Sequence, residues 1–138
     1  MQYALDQEHL DNIEKILRED LIEIGVHSLV FADLAGNIVV ELNNGEATHD
    51  VYSLTALAAG NFGAVNAMAN AIGQDEFSLL FHKGDNVSIY FSKVLDDFLL
   101  ITIFGKETSL GLLRLKVSES SEKIEKVLAF LYSKKVNL

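Results

Sequence analysis

From Val51 to Gln74 the chain carries no charged side chain. A run of that length could cross a bilayer, but it contains Ser53, Thr55, Asn61, Asn66, Asn70 and Gln74, and no Lys/Arg cluster flanks it. That polarity does not suit a helix facing lipid, so no membrane insertion is expected. The stretch reads instead as a small-residue helix from about Ser53 to Ile72, closed by Gly73. On a helical wheel Leu54, Leu57, Val65, Met68 and Ile72 fall on one side, which is expected to pack on a sheet. The other side carries Ala56, Ala59, Gly60, Gly63, Asn66, Ala67, Asn70 and Ala71, where an ordinary surface helix would be charged. Gly60 and Gly63 each cost about 1 kcal/mol relative to alanine in a helix. The spacings Ala56/Gly60/Ala64 and Ala59/Gly63/Ala67 let a second backbone approach closely. One reading buries both faces inside the chain, or sees only an alanine-rich helix. The other makes the small face an intermolecular surface, and it is the expectation taken forward. Asn61 lies near the sheet-facing side and calls for either a backbone group or a partner's side chain.

The rest of the chain supplies the sheet. Leu10, Ile13, Leu17, Leu21 and Ile24 recur at helical spacing among charged residues, which predicts an amphipathic helix ending at Gly25. Strands are predicted at His27–Asp33 and Ile38–Leu42 around the turn Ala35-Gly36-Asn37, with a loop at 43–50. Three more follow at Phe77–Lys83, Val87–Val94 and Phe98–Phe104, separated by Gly84-Asp85-Asn86 and Asp96-Asp97. A final helix spans about Ser109–Lys134, with Ser118-Glu119-Ser120-Ser121 its weakest point. Residues 29–32 and 98–104 are apolar on both faces, so those strands belong in the middle. The expected fold is an α/β domain of α+β type, order α-β-β-α-β-β-β-α. Its antiparallel sheet is ordered 2-1-5-4-3, with the first and third helices on one face and the second on the other. Strand three would then be an unprotected edge, offering Phe77, Ser78, Leu79, Leu80 and Phe81 for pairing with another strand.

At 138 residues the chain fits a single domain, 1–138, with room for a real core. It has no cysteine, which excludes disulfides, cysteine-based zinc sites and a cysteine nucleophile, and points to a reducing cytoplasm. The N-terminal MQYALDQEHLDNIEK lacks the pattern of a signal peptide. A net charge of −9 and a pI near 4.8 argue against nucleic acid or an anionic membrane as partner. An apolar fraction of 49% with a mean hydropathy of +0.22 suggests that some apolar surface meets another protein.

No residue set frames an active site. His9, His27, His49 and His82 have no i,i+4 partner and no HExxH context, so each reads as a surface or strand-end residue. Gly60-Asn61-Phe62-Gly63 lacks the frame of a phosphate loop, and Ser109-Leu110-Gly111 is not a nucleophile elbow. The acidic pairs Glu19/Asp20, Asp75/Glu76 and Asp96/Asp97 fit turns and helix ends better than acid–base work. No catalytic residue, metal site or cofactor is expected.

Ile24-Gly25-Val26, the strand end Asp33-Leu34-Ala35-Gly36-Asn37, the block SLTALAAGNFGAVNAMANAIG, the run IYFSKVLDDFLLITIFG and the closing SLGLLRL carry a resemblance across residues 8–132. Together they resemble the Roadblock family of dynein light-chain homologues, in its bacterial branch typified by mutual gliding protein B. The resemblance implies a profilin-like fold and a homodimer with paired second helices and joined edge strands. It also implies a role beside a small Ras-like GTPase, as activator or co-regulator. The family's alanine-rich second helix maps onto Ala56, Ala59, Gly60, Gly63, Asn66, Ala67 and Asn70. The function expected is thus a homodimeric platform for such a GTPase. The alternative is a scaffold subunit of a larger complex without effect on nucleotide turnover, and a third class is an enzyme or small-molecule sensor.

Overall fold

The computed structural model describes residues 5–45, 50–73 and 79–136, apart from the side chains of 79–81 and 131–136. Its architecture follows from strand β1 (Ser28–Asp33), in which every residue is buried. Successive strand residues point to opposite faces. Leu29 and Phe31 therefore enter one core, with helices α1 (Gln7–Leu17) and α3 (Leu110–Val136), while Val30 and Ala32 enter another, under helix α2 (Val51–Ala71). The remaining strands are β2 (Ile38–Asn43), β3 (Leu79–Lys83), β4 (Val87–Val94) and β5 (Phe98–Gly105). All neighbours pair antiparallel in the order β2-β1-β5-β4-β3, as the sequence predicts. The doubly apolar β1 and β5 sit inside the sheet because only interior strands are covered on both faces. Phe77 and Ser78, expected to open the third strand, lie outside the described residues.

The larger core packs Ile13, Leu17 and Leu21 and, from α3, Leu113, Val117, Ile124 and Leu128 onto the sheet. Phe31 and Phe98 stack within it with centroids 5.1 Å apart. Each such side chain contributes roughly 1.5–3 kcal/mol on burial.

The first helix departs from expectation. It starts in a capping box between Asp6 and His9, but after Leu17 it widens into a π-helical turn, Arg18–Ile22, and stops short of Gly25. Gly25 closes the following turn at φ +110°, where a Cβ would come within 3.1 Å of Thr108 Oγ1. The wide turn places the buried Asp20 against α3. There it accepts hydrogen bonds from Ser120 Oγ and Lys123 Nζ, each at 3.0 Å. This explains why the serine-rich segment 118–121 does not break α3: Ser120 faces inward onto an acceptor. The bond to Asp20 also raises the Lys123 ammonium above its ordinary value. The stabilisation is present below the usual lysine range and is lost only as pH rises through the raised value.

Candidate functional site

Helix α2 begins at Asp50, whose carboxylate accepts from the Ser53 hydroxyl at 2.7 Å and the Ser53 N–H at 3.2 Å. Those bonds, the hydroxyl first, hold the carboxyl below its ordinary value. The face that α2 turns to the sheet is not the one its large aliphatic residues suggest. Val51, Thr55, Ala58, Phe62 and Ala69 are buried, and Leu54 and Val65 are half-buried. Leu57, Met68 and Ile72, expected on the sheet, are 72%, 59% and 73% exposed. Phe62 decides the rotation, because the one aromatic ring in the helix core fills the space over β1 and β5 while Ala58 and Ala69 let the backbone come close. Thr55 is tolerated inside because its hydroxyl donates to Val51 O at 2.6 Å.

The exposed surface of α2 divides into two stripes. Ala56, Gly60, Gly63, Ala67 and Asn70 are exposed, and Ala59 and Asn66 are half-buried. Ala56 lies beside the β1–β2 turn, where a Cβ on Gly36 would be 3.7 Å from its Cα. Among the described residues nothing outside the neighbouring turns of α2 itself lies within 4 Å of a Cβ built on Gly60 or Gly63. Asn66 Oδ1 is buried and has no hydrogen-bond partner among the described residues. Helical spacing puts Leu57, Asn61, Met68 and Ile72 on the opposite flank, toward β3. Among the described residues that strand is the sheet's edge, bonded to β4 alone, and it includes Leu79, Leu80 and Phe81.

Between this flank and the sheet runs a cleft of about 260 Å³ lined by Leu54, Leu57, Ala58, Asn61, His82 and Phe91. Asn61 finds its neighbour here: its Nδ2 lies 3.5 Å from His82 Nε2, the long limit of a hydrogen bond. The His82 ring meets Phe91 edge-on, centroids 5.5 Å apart at 83°. His82 is exposed, as the sequence reading of a surface residue has it, but its place beside Asn61 and Phe91 was not foreseen: the register sets His82 opposite Ile89 and Phe81 opposite Tyr90. His82 thus shares a face with Ile89 and Phe91 of β4.

Two of the other histidines make structural contacts. His9 caps α1 and stacks on Phe130 at 4.4 Å, and His27 contacts Glu107. His49 and the pair Asp75/Glu76 lie outside the described residues. Among those described, no three His, Cys, Asp or Glu side chains group to hold a metal ion, and no helix is long and apolar enough to cross a membrane. A second cavity, of about 290 Å³, opens between the β3–β4 turn and the start of α3 over Phe104, with Lys83 and Lys106 in its lining.

An exposed, uncharged helix beside an open strand edge is the geometry of a docking surface. The Roadblock/LC7 domain model matches residues 25–104, which hold α2, the first four strands and all of β5 but Gly105. The chain belongs to the Roadblock/LC7 family. Among solved structures, Myxococcus xanthus MglB matches with a TM-score of 0.84 at 28% identity, over 94% of this chain and 96% of that one. The gliding protein mglB of Thermus thermophilus gives 0.83 at 23%, over 92% and 97%. Acanthamoeba castellanii profilin IA shares the fold at a TM-score of 0.57 and 14% identity, over 78% and 92%. No curated protein sequence is a significant match. The fold is therefore the profilin-like Roadblock fold, with the small residues of α2 on its outer surface.

Proposed function

We propose that this Roadblock protein is a homodimeric platform that binds and regulates a small Ras-like GTPase. The observation that carries the reading is the exposed surface of α2, uncharged along its length and split into a bulky and a small stripe. Leu57, Met68 and Ile72 are large apolar side chains standing in water next to an open strand edge. A two-fold axis beside β3 would bury that flank against itself in a second copy, and pair the edges. The small stripe, on the other flank, then stays free for a different protein, and Gly60 and Gly63 let that protein's backbone come close. Likeness to MglB proteins supports a partner of the GTPase kind.

Sedimentation at low micromolar concentration, and calorimetry with a Ras-like GTPase encoded in the same genome, test the reading. A dimer that binds the GTPase and changes its rate of GTP hydrolysis is expected. A 15.2 kDa species alone would overturn the dimer. Binding without any change in hydrolysis would make the chain a scaffold.

The two arginines set how stimulation works. Arg18 opens the π-helical turn and bonds Glu14 at 3.2 Å; Arg114 sits in the second turn of α3. Neither is on a loop able to enter a nucleotide pocket, as an arginine finger must. Lysine lacks the planar fork that grips phosphoryl oxygens. Stimulation then acts by holding the GTPase's own catalytic groups in place. Arg18→Ala and Arg114→Ala, tested in single-turnover GTP hydrolysis at saturating dimer, should each change the rate by less than about fivefold. A finger would cost about a thousandfold.

A further inference from the structure

We propose that protonation of His82 loosens the self-association of this chain, so that assembly weakens as pH falls. The proposal rests on the reading that a second copy covers the β3 flank of α2. His82 stands at the seam such a copy would close: it is exposed, it belongs to the edge strand, and it lines the same cleft as Leu57.

The surroundings of the ring fix the direction. From α2 it is faced by Leu54, Leu57, Ala58 and Asn61, none of them ionisable, and no residue of α2 carries a charge. Asp50, at the helix N-terminus, is engaged by Ser53. From β4 the ring is faced by Phe91; Lys93, two residues on, pairs with Asp96 at 3.7 Å. Lys83 follows on β3 itself, and successive strand residues point to opposite faces. Among the described residues no carboxylate lines the cleft to compensate an imidazolium.

In the free chain the charged ring is hydrated. Covered by the apolar flank of a second copy, it would lose that water. Neutral imidazole in its Nδ1–H tautomer offers Nε2 as an acceptor to Asn61 Nδ2, whereas imidazolium has two donors and no acceptor. Rotation of the Asn61 amide, or the face of Phe91, returns part of that loss, but neither supplies a counter-charge. A dimer holds two such seams, so up to two protons are linked to dissociation. Imidazole ordinarily takes up its proton between about pH 7 and 6. The chain's charge of −9 falls in magnitude over the same range, which by itself would tighten association. A loosening therefore needs a local cause.

The experiment is the dimer dissociation constant by sedimentation equilibrium at pH 7.5, 6.5 and 5.5 and fixed ionic strength, for the parent, His82→Gln, His82→Asn and the control His9→Gln. The parent and the control should weaken at least about tenfold from pH 7.5 to 5.5. Both His82 variants should hold steady or tighten over that range, whatever their affinity at pH 7.5, with circular dichroism confirming the fold. A parent that does not weaken, or His82 variants that weaken in parallel with it, overturns the proposal and leaves the dimer standing. A parent that is monomeric at every pH overturns the dimer and this proposal with it.

Discussion

Phe62→Ala is expected to destabilise the fold by about 3–5 kcal/mol, the usual cost of emptying a buried aromatic site. The ring is 1% exposed and is the largest side chain that α2 places against Val30, Ala32, Leu99 and Ile101. Its neighbours are rigid strands on one side and a helix held at Asp50 on the other, so the site has little freedom to collapse. A loss of that size is a large part of the ~5–15 kcal/mol that holds a typical domain together. Urea denaturation of the parent and the variant measures it. Leu57→Ala in the same assay should cost less than about 0.5 kcal/mol in the monomer, because its side chain meets water rather than the sheet. Equal losses at the two positions, measured at a concentration where the chain is monomeric, would mean that α2 is rotated from the orientation described.

That contrast shows where the sequence was readable and where it was not. The strand order 2-1-5-4-3 was legible because Leu29–Ala32 and Phe98–Phe104 are rich in apolar residues on both faces and must lie inside the sheet. The rotation of α2 was not. A charged stripe normally marks the outer face of a helix, and between Val51 and Ala71 there is none, so the large aliphatic residues were the only guide. They misled because Ala58 and Ala69 matter by being small, which a hydrophobicity pattern does not weigh. The seven small or amide residues of the candidate surface nonetheless all lie on the crest or the β1–β2 flank, since helical spacing keeps them together whatever the rotation. The π-helical turn left no mark in the apolar spacing. Its cause is tertiary, the bond from Asp20 to residues 100 and 103 positions away. The neighbours of His82 were not legible because the phase between β3 and β4 depends on their register, which single-strand alternation does not carry.

Ala67→Arg should abolish binding of a Ras-like GTPase, raising Kd by at least about a hundredfold, with the fold intact. Ala67 is exposed on the small stripe, so arginine extends into solvent in the free chain and strains nothing. In a complex it would stand where two backbones meet, and burying an unpaired guanidinium costs several kcal/mol. Gly63→Arg, one turn earlier and equally open, should behave alike. Calorimetry against the GTPase reads the loss, and sedimentation of the same variants shows whether the two stripes act separately. If the small stripe serves only the GTPase, both variants remain dimers. If both variants bind the GTPase like the parent, the stripe is plain solvent-exposed surface.

The empty space around Gly60 and Gly63 has an evolutionary consequence. A methyl group at either position would meet no described atom within 4 Å beyond the neighbouring turns of its own helix, and alanine would favour the helix by about 1 kcal/mol at each. For a chain that acted alone, drift and selection for durability would both lead away from glycine here. Keeping them sets the isolated chain below the stability its own backbone allows. Directed evolution for heat resistance, run on the purified chain without its partner, would be drawn to these two codons first and would blunt the contact surface as it succeeded.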